Sequence, residues 1–130
     1  MIVGVKMFTF QKLEIYQLAK NLVLDIYKIT NALPKSESFG LVSQMNRSAI
    51  SIPSNIAEGY GRKNVKERVH FYNIARSSLF ELFCQIEITN ELNYINEIEF
   101  KILEKKCNDL SVKIAKFCRY NSDDKCKPKA

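Results

Sequence analysis

Basic side chains crowd one stretch of this chain. In GRKNVKERVHFYNIAR, Arg62, Lys63, Lys66, Arg68 and Arg76 follow one another closely, with His70 and Tyr72 between them. Ammonium and guanidinium groups gathered at a turn and on the first turns of a helix are what phosphate oxygens need, and a helix N-terminus adds partial positive charge. Glu67 interrupts the cluster, so the plainer reading is a solvated helical face. Just upstream, SIPSNIAEGYGR sets a proline, two glycines and short polar residues where a helix would ordinarily carry a charged outer face. Gln44, Arg47, Ser51, Ser54, Asn55 and Glu58 recur there at spacings of three and four. Short neutral hydrogen-bonding side chains let another backbone approach while polar atoms stay satisfied. The pattern suits a contact face for a second subunit or a ligand, and a modestly polar exposed face is the other reading.

Catalytic and metal chemistry find little to build on. Glu67 and His70 have the Glu-x-x-His spacing of helical di-metal sites, but the sequence holds one histidine and so no second copy. An acid–base pair also lacks its partner. Phosphate-cradling glycine loops need a preceding strand and a spacing that EGYGRKN does not offer. Cys84, Cys107, Cys118 and Cys126 show no CxxC pair, which a zinc site would need. The first three read as small core residues and Cys126 as a tail thiol. The expectation is a protein with no enzymatic activity, cofactor or metal.

The elements that must position these residues are helices. Ile15, Ala19, Leu22, Ile26 and Ile29 step by four and three, which predicts a helix over residues 11–32 that Pro34 ends. A second helix, capped by Ser36 or Ser38, has Val42, Met45, Ala49, Ile52 and Ile56 on its core line. That line continues through Pro53, where a kink is expected, and Gly59 and Gly61 supply the stop. The third runs from Val65 to Leu92 on a seam of Val65, Val69, Tyr72, Ala75, Leu79, Leu82 and Ile86. The fourth opens at Asn96, whose spacing to Glu99 is that of a capping box. It carries Phe100, Leu103, Cys107, Leu110, Ile114 and Phe117 and ends near Tyr120. Four amphipathic helices on short connections predict an all-α, antiparallel up-down-up-down four-helix bundle over residues 1–120. Residues 121–130 read as a disordered polar, basic tail.

With 46% hydrophobic and 26% charged residues in a chain of 130, a single soluble domain is expected. No apolar run is long enough to span a bilayer, which points to a cytoplasmic protein without a membrane partner. The formal net charge of +6 favours polyanionic partners without naming one.

The run FGLVSQMNRSAISIPSNIAEGYGR, preceded by LEIYQLAKNLVLDIYKITNALPKSESF and followed by FYNIARSSLFELFCQIEITNEL, resembles the 23S ribosomal RNA intervening-sequence proteins. The resemblance rests on Gln44, Arg47, Ser51, Ile52, Pro53, Asn55, Glu58, Gly59 and Gly61, with Ala75, Ser78, Leu79 and Glu81 downstream. It implies a bacterial homo-oligomeric four-helix bundle, typically a pentamer, with no assigned catalysis. It also implies two kinds of partner beyond the protein itself: RNA or a nucleic-acid complex, or a reverse transcriptase to which related bundles are accessory. The candidate nucleic-acid residues are then Arg47, Arg62, Lys63, Lys66 and Arg68. The candidate assembly contacts are Gln44, Ser51, Pro53, Ser54, Asn55, Glu58 and Tyr60, with Glu58 paired to a base such as Arg47 or Arg62.

Overall fold

A computed structural model of the protein describes residues 8–126. These form four α-helices and no strand: α1 (Glu14–Asn31), α2 (Ser43–Tyr60), α3 (Val65–Glu91) and α4 (Glu97–Cys126). α1 packs on α2 and α4, and α3 packs on α2 and α4, so sequence neighbours lie side by side and the last helix closes on the first. The registers are antiparallel. Thr30 donates to Asn46 between α1 and α2, while on α4 Lys106 and Lys113 pair with Asp25 and Glu14 of α1 in reversed order. This is the expected up-down-up-down bundle.

The core is the four apolar seams brought face to face. Ile15, Ala19, Leu22 and Ile26 meet Met45, Ala49, Ile52 and Ile56, then Tyr72 to Ile86 on α3 and Phe100 to Ile114 on α4. Each fully buried leucine or isoleucine contributes roughly 1.5–3 kcal/mol relative to exposure. The seams fade at their ends: Val42, Val65, Val69 and Phe117 are only half-buried.

The ends of the helices hold most of the departures from expectation. A short 3₁₀ turn (Thr9–Lys12) precedes α1, separated from it by extended Leu13. Neither Ser36 nor Ser38 caps α2. The chain instead makes a 3₁₀ turn (Lys35–Glu37) and one wide π turn (Ser38–Val42), and the Glu37 carboxylate accepts from the Leu41 amide at 3.3 Å. A glutamate arm reaches across a wide turn where a serine hydroxyl is too short. The same carboxylate accepts from the Tyr94 hydroxyl at 3.0 Å, tying this turn to the α3–α4 connection. In that connection Asn93 sits at φ 64°, a left-handed position that asparagine tolerates.

α2 runs unbroken through Pro53, whose ring is buried. The Asn96–Glu99 capping box forms reciprocally, with bonds of 2.7 and 3.1 Å. α4 continues to Cys126, so the first six residues of the segment read as a tail are helical. The rest of that segment, with Lys127 and Lys129, lies outside the described residues, as does the Cys126 side chain. Cys84, read as core, is exposed, while Cys107 is buried and Cys118 partly so.

Candidate functional site

The quoted polar stretch does bring a second backbone close, but that backbone belongs to α3 of the same chain. The Ser51 and Ser78 hydroxyls share a hydrogen bond of 2.8 Å across the α2–α3 interface. Asn55 Nδ2 donates to the Ser51 carbonyl at 2.8 Å and to its hydroxyl at 3.0 Å. Small side chains make this closeness possible, and Gly59 is its tightest point. A Cβ built there would stand 2.8 Å from Tyr72 Cε1, 2.9 Å from Phe71 Cβ and 3.1 Å from the Arg68 carbonyl oxygen. Ser51 and Asn55 thus bond within the chain while staying half-buried, and Pro53 is buried. Gln44, Arg47, Ser54 and Glu58 remain exposed, and Tyr60 is half-buried.

Beyond Gly59 the chain turns into α3, and the basic cluster is built on this corner. The Arg62 guanidinium pairs with Glu58 one turn earlier, approaches Glu67 at 3.9 Å and lies over the Phe71 ring, 4.9 Å from its centroid. Glu58 therefore takes Arg62, not Arg47. Arg68 donates from Nε to the Arg62 carbonyl. These two arginines brace the corner. Lys63 and Lys66 are exposed, with no carboxylate within 4 Å among the described residues. Asn64 caps α3 by accepting from the Glu67 amide at 3.2 Å.

Arg47 is not part of this cluster. It sits fifteen residues before Arg62, which at 1.5 Å per residue is roughly 22 Å along the axis. His70 is exposed and meets Phe71 edge-on at 5.4 Å. Three basic residues that sequence reasoning left aside come to the same end of the bundle: Lys12, Lys116 and Arg119. Their proximity follows from the antiparallel register. The start of α1 meets the second half of α4 through Glu14–Lys113 at 3.4 Å, and α4 meets the start of α3 through Cys118–Asn73 at 3.7 Å and Tyr72–Phe117 at 5.2 Å. The signal was available once α1 and α4 were placed beside the corner, but not from local spacing.

Three groups packed between α3 and α4 have shifted acidities. Burial pushes the Tyr72 phenol up to about 12, opposed in part by the positive charge of Arg68, and its hydroxyl has no hydrogen-bond partner among the described residues. Burial likewise raises the Cys107 thiol to about 12, and raises Cys118 with Arg76 opposing. Both thiols stay protonated at neutral pH and pack as apolar groups. No three His, Cys, Asp or Glu side chains among the described residues converge as a metal site would require, and no helix among them is long and apolar enough to cross a membrane.

Comparison with known proteins agrees with this architecture. A crystal structure from Bacteroides thetaiotaomicron VPI-5482, described as a protein of unknown function from the S23 ribosomal protein family, superposes with a TM-score of 0.75. It is 17% identical, and the match covers 80% of this chain and 97% of that one, a likeness of fold. No curated protein matches the chain. The family model for 23S rRNA-intervening sequence proteins matches residues 11–116. That span takes in all of α1 to α3, the braced corner and most of α4, and the chain belongs to the 23S rRNA-intervening sequence protein family.

Proposed function

We propose that the protein is a non-enzymatic bundle that works as an assembly of its own copies, a pentamer, and holds RNA or a nucleic-acid complex against its basic side. One observation carries the assembly. On the outer side of α3, Phe80, Cys84, Ile88 and Leu92 recur at steps of four, and Phe80, Ile88 and Leu92 are 53%, 44% and 50% exposed. A helix with water on that side would carry polar residues along the whole row, as Glu81, Glu87 and Glu91 do beside it. A contiguous apolar row of this length marks a surface that another molecule covers. The contact of Thr89 with Met45 puts Gln44 of α2 near the level of Ile88, and Phe80 lines a groove with Lys101, Glu104 and Lys105 of α4, so polar residues stand near both ends of the row as a rim.

The test is mass in solution. Light scattering on the full chain should give a multiple of 15.1 kDa near five copies. The pair Phe80→Asp and Ile88→Asp should give a folded single copy with an unchanged helical circular dichroism spectrum. A wild-type monomer at high concentration refutes the assembly. For the ligand, a labelled single-stranded RNA should bind with an affinity that falls as salt rises. Capture of a reverse transcriptase without any RNA binding would favour a protein-directed role as an accessory to that enzyme instead.

A further inference from the structure

The charges that find no partner are sorted along the bundle axis. At the end formed by the start of α1, the α2–α3 corner and the second half of α4, the carboxylates among residues 8–119 are Glu14, Glu58 and Glu67. All three lie within 4 Å of a base: Glu14 of Lys113, Glu58 and Glu67 of Arg62. Lys12, Lys63, Lys66, Lys116 and Arg119 stand at this end exposed, with no carboxylate within 4 Å among residues 8–119. The opposite half leans the other way, its three exposed bases without an ion pair among the described residues, Lys28, Lys35 and Arg47, being outnumbered by glutamates. Glu81, Glu87 and Glu91 line exposed α3 without a base within reach, and Glu97 and Glu99 follow at the start of α4.

The separation is large against screening. α3 alone spans 27 residues, roughly 40 Å at 1.5 Å each, while the Debye length in 0.1 M salt is about 10 Å. A polyanion near the basic end is therefore screened from the acidic end and feels the lysines alone.

We infer that the phosphate backbone of a single-stranded nucleic acid meets this bundle end-on, across Lys12, Lys63, Lys66, Lys116 and Arg119, and that the long faces and the acidic end stay clear of it. The inference rests on the nucleic-acid reading above and makes it directional. Copies arranged with their axes parallel would present one basic face and one acidic face, so the ligand would lie on one side of the assembly. Arg47, on the long face in the acidic half, takes no part.

The experiment compares two sets of equal charge loss on exposed side chains. One variant carries Lys63→Gln, Lys66→Gln and Lys116→Gln; the other carries Lys28→Gln, Lys35→Gln and Arg47→Gln. Binding of a labelled single-stranded RNA oligonucleotide by the full chain is followed by fluorescence anisotropy across a salt series, with circular dichroism and light scattering confirming fold and assembly. Loss of three phosphate contacts lowers the salt slope by about 2 and the affinity about a hundredfold at 0.1 M salt. That loss is expected for the first variant, with less than threefold for the second. Equal losses in both, or a greater loss in the second, overturn the end-on inference while leaving RNA binding itself in place. Absence of salt-dependent binding by the wild type overturns both.

Discussion

Gly59→Ala is the sharpest probe of how this fold is held. The substitution brings a gain and a penalty of known sign. Alanine favours a helical interior over glycine by about 0.5–1 kcal/mol. Against that, the new methyl would stand 2.8 Å from Tyr72 Cε1, 2.9 Å from Phe71 Cβ and 3.1 Å from the Arg68 carbonyl oxygen. The first of these belongs to a ring that is fully buried and edge-packed on Phe117 at 5.2 Å, so it has little room to turn. The other two sit on or next to the α3 backbone and move only if the helix moves. Overpacking of this kind costs about 1–3 kcal/mol, so the net is a loss of about 1–2 kcal/mol.

For a chain of this size that corresponds to a fall in Tm of about 4–8 °C. Gly61→Ala is the internal control. A Cβ there meets only the Glu58 and Ala57 carbonyl oxygens, at 3.6 and 3.7 Å, and φ is −82°. It should leave Tm unchanged or raise it slightly. Thermal melts by circular dichroism on both variants decide the matter: if Gly59→Ala melts with or above Gly61→Ala, close contact between α2 and α3 does not depend on that glycine.

Three further outcomes follow from single groups. Tyr72→Phe removes a buried hydroxyl that has no partner, so at pH 7 it should be neutral or stabilising by about 1 kcal/mol in urea unfolding. Its larger effect is at high pH: the phenol is raised from 10.0 to about 12 in the folded chain, so the stability it contributes is complete below pH 10 and declines between 10 and 12. About 3 kcal/mol of that decline should vanish in Tyr72→Phe, leaving the portion from Cys107. Asn93→Ala should lower the urea midpoint by the equivalent of about 1–2 kcal/mol because alanine tolerates a φ of 64° poorly, whereas Asn93→Gly should not. Arg62→Gln removes an exposed ion pair and a ring contact, which together contribute about 1 kcal/mol; a loss above 3 kcal/mol in the same assay would mean the corner depends on it far more than its exposed geometry allows.

The helices were legible because burial in a bundle repeats with the helical period, and Ile15 to Ile26 or Leu103 to Ile114 show it without competition. The capping box at Asn96 was legible because both of its partners are local. What periodicity leaves open is which neighbour covers a flank. Ser51 and Asn55 read as a face for another backbone, and only the order of helices around the core shows that α3 fills the role. Cys84 read as core because it is small and apolar, yet it falls on the outer side of α3, where the apolar row continues away from the seam. The start of α2 escaped because α2 has no side-chain cap of its own and follows a π turn capped by Glu37, a pattern with no short sequence signature. Arg47, a candidate through the family resemblance, is separated from the basic cluster by the rise of a helix.

The tightness of the α2–α3 contact and the exposure of Lys63 and Lys66 have a common origin. Because Ser51, Ser78 and Gly59 are small, α2 and α3 close on each other, and the chain between them has only a few residues in which to reverse. Arg62 and Arg68 then turn inward to Glu58, Phe71 and a backbone carbonyl. Lys63 and Lys66, one on the turn and one on the outward side of the first turn of α3, cannot follow and stay in water. A braced corner holding two lysines at a set separation loses less conformational entropy on meeting a phosphate backbone than the same lysines on a loose loop. It follows that Gly59→Ala, at a temperature where it is still folded, should weaken RNA binding without touching a charge, by loosening the corner that spaces Lys63 and Lys66. If that variant binds RNA with wild-type affinity and salt slope, the corner supplies charge alone and its rigidity has no part in recognition.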